Sequence, residues 1–157
     1  MEKKIVIVKG IGEGSTALSA FDAALHIAGI SNFNLVELSS IIPKNTSIII
    51  QEKFDYPYEV GQIQPVVISH IESNEKGREI SAGLGWILAN EGGVFIEISG
   101  SFEKKQCIEN INFSLSEMIK RRSWNWDKKF NNYIVNTTVK DFFSSVIVCA
   151  IYTFFKI

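Results

Sequence analysis

Two adjacent serines, Ser39 and Ser40, stand between an apolar stretch and Ile41-Ile42-Pro43. The Ser40 hydroxyl can attack the Ser39 carbonyl and turn their peptide bond into an ester. Elimination from that ester leaves dehydroalanine. Its hydrolysis releases ammonia and leaves a pyruvoyl group, an electrophilic carbonyl that no ordinary side chain supplies. The dipeptide alone decides nothing: with 16 serines in 157 residues, about 1.5 such pairs arise by chance, and Ser144-Ser145 is a second.

Other side chains compete for attention. Glu97 lies mid-strand in Val94-Phe95-Ile96-Glu97-Ile98, on the face opposite Val94, Ile96 and Ile98. It reads either as a solvent-facing carboxylate or as a carboxyl drawn partly out of water that can donate a proton at neutral pH. Asp22 and His26 are one helical turn apart, a spacing usual for surface pairs. Gly10, Gly12 and Gly14 form a GxGxG run where a dinucleotide fingerprint would need its third glycine at Ser15. The run also lacks the lysine of a phosphate loop, so a tight turn is the simpler reading. No GxSxG elbow occurs. The only histidines, His26 and His70, and the only cysteines, Cys107 and Cys149, show no CxxC or HExxH spacing. No metal site and no disulfide framework are expected.

These residues need elements to hold them. Ile5 to Val8 reads as a strand leading to a glycine loop, and Ala17 to Ala28 as a helix stopped by Gly29. Leu18, Phe21, Leu25 and Ala28 form its apolar stripe, so Asp22, unless it lies at the stripe's edge, is expected to point at packed surface. Strands are predicted over 33–38, 46–51, 66–71, 94–98, 133–139 and 142–155. A short helix is predicted over Glu79 to Ala89, weakened by Gly83 and Gly85, and an amphipathic helix over Glu103 to Arg121 with Ile108, Ile111, Leu115 and Met118 on one face. About seven strands and three helices imply one layered α+β or α/β domain.

Composition narrows the function classes. The chain has 46% hydrophobic and 21% charged residues and a net charge of -1, with no block of like charge. A nucleic-acid partner held by electrostatics is disfavoured. The apolar run at the N-terminus is too short for a signal peptide core. The longest uncharged run, Phe142 to Phe155, falls short of the roughly 18 residues of a membrane span. Neither membrane association nor secretion is expected.

The serine pair gains meaning from its surroundings. Gly12-Glu13-Gly14, Ala20-Phe21-Asp22-Ala23-Ala24-Leu25, Ala28-Gly29-Ile30 and Asn32-Phe33-Asn34-Leu35-Val36 precede Ser39-Ser40-Ile41-Ile42-Pro43, and Gly77-Arg78-Glu79-Ile80-Ser81-Ala82 and Glu97 follow. This order resembles the pyruvoyl-dependent arginine decarboxylases over nearly the whole chain. Departures are Ser19 where relatives usually carry Asn, Lys44 where a second Pro is common, and Ser99 in place of an acidic residue.

The resemblance implies a single-domain four-layer αββα sandwich. It implies self-cleavage into a small β chain, residues 1–39, and a larger α chain, residues 40–157, and homotrimers with active sites between subunits. It makes Ser40 the precursor of a covalent pyruvoyl group, without metal or pyridoxal phosphate. Ser39 becomes the new C-terminus, Asn34 a polar group near the cleaved bond, and Glu97 the proton donor. Asp22 becomes the carboxylate that receives the guanidinium, with Leu25 and Ile41 lining the pocket. The implied reaction is decarboxylation of arginine to agmatine through a Schiff base, in the cytoplasm, for polyamine synthesis. Ser144-Ser145 is then structural, and Glu97→Gln should spare cleavage but abolish turnover. The rivals are a pyruvoyl decarboxylase for another amino acid such as histidine, an unprocessed non-catalytic relative, and a nucleotide-binding module built on the glycine run.

Overall fold

A computed structural model describes residues 3–155. Among them the chain forms, in order, β1 (Lys3–Gly14), α1 (Ala17–Ala28), β2 (Asn34–Glu37), β3 (Ile41–Ile42), β4 (Thr46–Ile50), β5 (Ile63–Ser73), β6 (Glu79–Leu88), β7 (Gly93–Gly100), α2 (Lys104–Lys120), β8 (Asn131–Thr138) and β9 (Phe143–Tyr152). One sheet has the order β2-β5-β9-β1-β4 and the other β3-β7-β6-β8. In the first, β1 runs antiparallel to β9 and parallel to β4, while β2 runs parallel to β5. The second is antiparallel throughout.

Period-two alternation assigns each strand residue to a layer. Ile5 and Ile7 of β1, with Val146, Val148 and Ala150 of β9, face the second sheet's Ile80, Ala82, Leu84, Trp86, Phe95 and Val135. Val6, Val8, Ile147, Cys149 and Ile151 point the other way, onto Ala24, Leu25 and Ala28 of α1. On the far side, Cys107, Ile111 and Leu115 of α2 cover Ile87, Val94 and Ile134. The result is helix on sheet on sheet on helix, the four-layer sandwich expected of the resemblance, with one core between the sheets and one under each helix.

Three expectations are corrected. The glycine run is not a loop: Gly10, Gly12 and Gly14 lie inside β1, paired with Ile147, Ser145 and Phe143. They share a face, and α1 packs so close against it that a Cβ on Gly14 would come within 2.6 Å of the Ala20 amide nitrogen. Cβ atoms on Gly10 and Gly12 would clash with the backbone at Ala24. The small residues match a small-residue row on α1, where Ala20, Ala24 and Ala28 are buried. A backbone spent on strand pairing and covered by a helix presents no phosphate cradle, which removes the nucleotide-binding reading.

The stretch Glu79–Leu88 is a strand, not a helix. It is the interior strand between β7 and β8, and Ile80 through Ile87 are buried. Cover on both faces erases the alternation that marks a half-exposed strand. Gly85 stays small because a Cβ there would clash with the Ile111 side chain of α2. With β3, this raises the strand count to nine among the described residues and leaves two helices.

Asp22 does not face packed surface. Because the alanine row forms the buried face of α1, Leu18 is 77% exposed and Asp22 is exposed as well. The helix spans Ala17–Ala28 as predicted and stops at Gly29, which adopts φ 82°; at its start Thr16 caps by accepting from the Ser19 amide at 3.0 Å. Ser144 and Ser145 are buried within β9, and the Ser145 hydroxyl donates to Glu72 Oε2 at 2.9 Å.

Candidate active site

The serine pair is the crossover between the two sheets. Leu38, just past β2, still donates its amide to Val66 of the first sheet at 2.8 Å. By Ile41 the chain has joined the second sheet, opposite Val94. Between them Ser40 adopts φ 82°, and it and Asn45 are the non-glycine residues with positive φ among those described. An L-residue in that region costs about 1–2 kcal/mol, a strain that persists only where surrounding contacts impose it.

Those contacts come from both sheets. The Ser40 carbonyl accepts from the Phe95 amide at 2.9 Å, and the Ser40 hydroxyl donates to Glu97 Oε1 at 2.8 Å. Glu97 is two residues beyond Phe95 on β7, so the two side chains share a face. Phe95 fills the inter-sheet core, and Glu97 reaches the exposed rim of that core. From the first sheet, the Tyr152 hydroxyl donates to the Ile41 carbonyl at 2.8 Å. Burial pushes the Tyr152 phenol well above its ordinary pKa, and the Glu97 carboxylate adds to the rise. This phenol therefore keeps its proton and acts as a donor.

Ser39, Ser40, Ile41 and Glu97 are thus brought together within one chain. The other expected site residues are elsewhere. Asp22 and Leu25 ride on α1, on the outer face of the first sheet, whereas Glu97 and Tyr152 belong to the space between sheets. Asp22 lines an open groove with Ile11, Gly12, His26, Thr137 and Lys140. Leu25 is 8% exposed in the core under α1. Asn34 opens β2, about 10 Å along the strand from Glu37 at the usual rise per residue. Its side-chain Nδ2 donates to the Gly61 carbonyl at 2.8 Å.

Sequence reading missed two groups that touch the crossover. The Phe95 amide is a main-chain donor, for which side-chain identity carries no signal. Tyr152 lies in an otherwise apolar strand, and its only clue was that a buried tyrosine needs a partner for its hydroxyl. Among the described residues no three His, Cys, Asp or Glu side chains come close enough to hold a metal ion. Nor is any helix among the described residues long and apolar enough to cross a membrane.

Set beside known proteins, this sandwich, with a strained serine at the crossover of its sheets and a carboxylate on that serine's hydroxyl, falls among the carboxy-lyases. Residues 4–156 match the family model for pyruvoyl-dependent arginine decarboxylase, and the chain belongs to that family. It is 40% identical over 141 residues to the pyruvoyl-dependent arginine decarboxylase of Thermococcus sibiricus, an alignment covering 88% of this chain and 87% of that protein. The enzyme of the same name from Pyrococcus furiosus is 39% identical over the same length. That of Thermoplasma volcanium is 30% identical over 151 residues, covering 87% of this chain and 80% of its own.

Proposed function

We propose that this chain cuts itself between Ser39 and Ser40 and uses the pyruvoyl group so formed to decarboxylate L-arginine to agmatine and carbon dioxide. The observation that carries the proposal is Ser40 itself: a strained serine on a two-sheet crossover, with its hydroxyl proton directed at Glu97 across 2.8 Å. The residues present fit the cofactor, because its precursor, an adjacent carboxylate and a donor on the precursor's carbonyl are already in place.

In the cut, Glu97 accepts the Ser40 hydroxyl proton as Oγ bonds to the Ser39 carbonyl carbon. The Ser39–Ser40 C–N bond breaks, and the released amine takes up a proton. Loss of the Ser40 Cα proton and of the Cβ–O bond frees Ser39 as a carboxylate and leaves dehydroalanine. Water then replaces nitrogen at Cα, and ammonia departs. Residues 1–39 become the small chain and 40–157 the large one. When present, the pyruvoyl carbonyl supplies the electron sink for loss of the substrate carboxylate. Glu97 then stands where a proton must be returned to carbon.

Asp22 is exposed on a groove, free to meet a guanidinium with both oxygens. Because Asp22 and Asn34 do not reach Ser40 within one chain, a neighbouring copy supplies them, with Leu25 buried beneath the helix that carries Asp22, and the working form is a homotrimer with sites between subunits. Arginine is preferred to histidine because Asp22 suits a permanently charged planar cation. The free buried thiols of Cys107 and Cys149 suit a reducing compartment such as the cytoplasm.

The deciding experiment is the intact mass of the purified protein, with arginine and histidine offered as substrates. Fragments 1–39 and 40–157, the larger blocked to Edman chemistry, together with carbon dioxide release from arginine, are expected. A single chain that stays uncut on prolonged incubation would exclude the pyruvoyl mechanism. Release from histidine alone would reassign the substrate.

A further inference from the structure

Tyr152 is 1% exposed, and its ring packs in an aromatic cluster with centroids 6.3 Å from Phe95, 5.8 Å from Phe154 and 6.3 Å from Phe155. From the first sheet its hydroxyl reaches across the sandwich to the carbonyl of Ile41, which belongs to the second. One residue further on, Ile42 is buried in the inter-sheet core. β3 is two residues long, pairing Ile41 with Val94 and Ile42 with Gly93, and upstream of it the Phe95 amide holds the Ser40 carbonyl.

Cleavage removes the covalent tether on the Ser39 side. Ser40 then becomes the end of a chain, its carbonyl becomes the amide carbonyl of the pyruvoyl unit, and the keto carbon is the former Ser40 Cα. A free end swings unless its next residues are fixed. On the self-cleavage reading above, we propose that Tyr152 is a positioning residue for this end: its hydroxyl, clamping the Ile41 carbonyl from the opposite sheet while the Phe95 amide holds that of Ser40, keeps the keto carbon within reach of Glu97. Burial and the Glu97 carboxylate keep the phenol protonated, so the clamp persists across the working pH range. Displacement of a reacting centre by about 1 Å costs on the order of a hundredfold in rate, which is the scale on which such a clamp matters.

The test uses the full chain and three proteins: wild type, Tyr152→Phe, and Val148→Ala, which loosens the same inter-sheet core without touching the hydroxyl. Cleavage is timed by intact mass, folding by thermal melting, and kcat and KM are expressed per carbonyl titrated with a hydrazine. Tyr152→Phe is expected to cleave at least about fivefold more slowly and to lose roughly tenfold in kcat per carbonyl with KM nearly unchanged, while Val148→Ala cleaves at the wild-type rate.

Indistinguishable cleavage and kcat in the two variants, beside a normally cleaving wild type, would overturn the role of Tyr152 and leave the pyruvoyl reading standing. A wild type that never cleaves removes both. Should Tyr152→Phe fail to fold, the cut wild-type enzyme still decides. With tyrosine selectively labelled, a slowly exchanging Tyr152 hydroxyl proton supports the clamp, and exchange as fast as that of a free phenol overturns it.

Discussion

Ser40 and Glu97 are 57 positions apart in the chain, yet the hydroxyl of one lies 2.8 Å from a carboxylate oxygen of the other. The contact exists because β2 leaves the first sheet and β3 enters the second beside β7, so the crossover lands over the strand that carries Glu97. On the proposed mechanism, this one carboxylate takes a proton from oxygen during cleavage and gives one to carbon during turnover. The sequence-based expectation that Glu97→Gln spares cleavage took no account of the first of these roles. Glutamine can still accept the hydrogen bond but is no useful base, so both the cut and the turnover are expected to slow, each on the order of a hundredfold. Cleavage at the wild-type rate, followed by intact mass, would confine Glu97 to the second step.

The left-handed backbone at Ser40 makes a separate prediction about stability. Ser40→Ala and Ser40→Gly both lack the nucleophile and should remain single chains. Glycine reaches φ 82° without steric cost, whereas alanine retains it. The glycine variant should be the more stable by about 1 kcal/mol or more, measured as the difference in urea unfolding free energy. Equal stabilities would mean that the kink stores no strain.

Asp22 tests substrate recognition independently of cleavage. Asp22→Asn should be cut as fast as wild type, since in one chain Asp22 lies on the far side of the first sheet from Ser40. Loss of a charged bidentate contact should raise KM for arginine roughly tenfold or more, with a smaller effect on kcat. An unchanged KM would take Asp22 out of the binding site.

His70 provides a pH signature. Its imidazole bonds to Glu72 at 2.9 Å, and this bond raises its pKa above 6.5 against the opposing effect of burial, with the nearby charges of Glu72 and Glu37 adding to the rise. A raised pKa in the folded state means that the stabilisation is fully present below pH 6.5 and is lost as pH rises through the folded value. The side chain is 35% exposed, so solvent screening holds the effect to less than about 1 kcal/mol. His70→Gln should flatten this part of the stability–pH curve, and an undiminished slope would place its source elsewhere.

The family was more legible in the sequence than the packing was. Ser39-Ser40 and its neighbours are read from residue identity, and the structure puts Ser40 beside Glu97. Gly10-Gly12-Gly14 misled because glycine spaced by two is as much a strand face meeting a helix as a loop, and only the facing Ala20-Ala24-Ala28 row tells them apart. The same row explains the misplacement of Asp22: the larger Leu18 looked like core, yet close approach selected the alanines instead. In β6, burial on both faces replaced alternation with a continuous apolar run, and Ile80, Leu84 and Ile87 fell by chance at helical spacing. A main-chain donor such as Phe95 N leaves no trace in residue type at all.

The place of β1 in the first sheet, hydrogen-bonded to β9 on one side and β4 on the other, bears on what a cut at Ser39 would do to the molecule afterwards. The shorter fragment would own β1 and β2, while β9, β4 and β5, which flank them, would belong to the longer one. Neither fragment could leave without dismantling the sheet, so the nicked protein would persist as an interleaved heterodimer. Its assembly would nevertheless have changed molecularity. The intact precursor folds as one chain at any dilution, whereas the nicked form, once denatured, would have to find its other half, and its recovery would depend on concentration. Folding first and cutting afterwards would act as a ratchet.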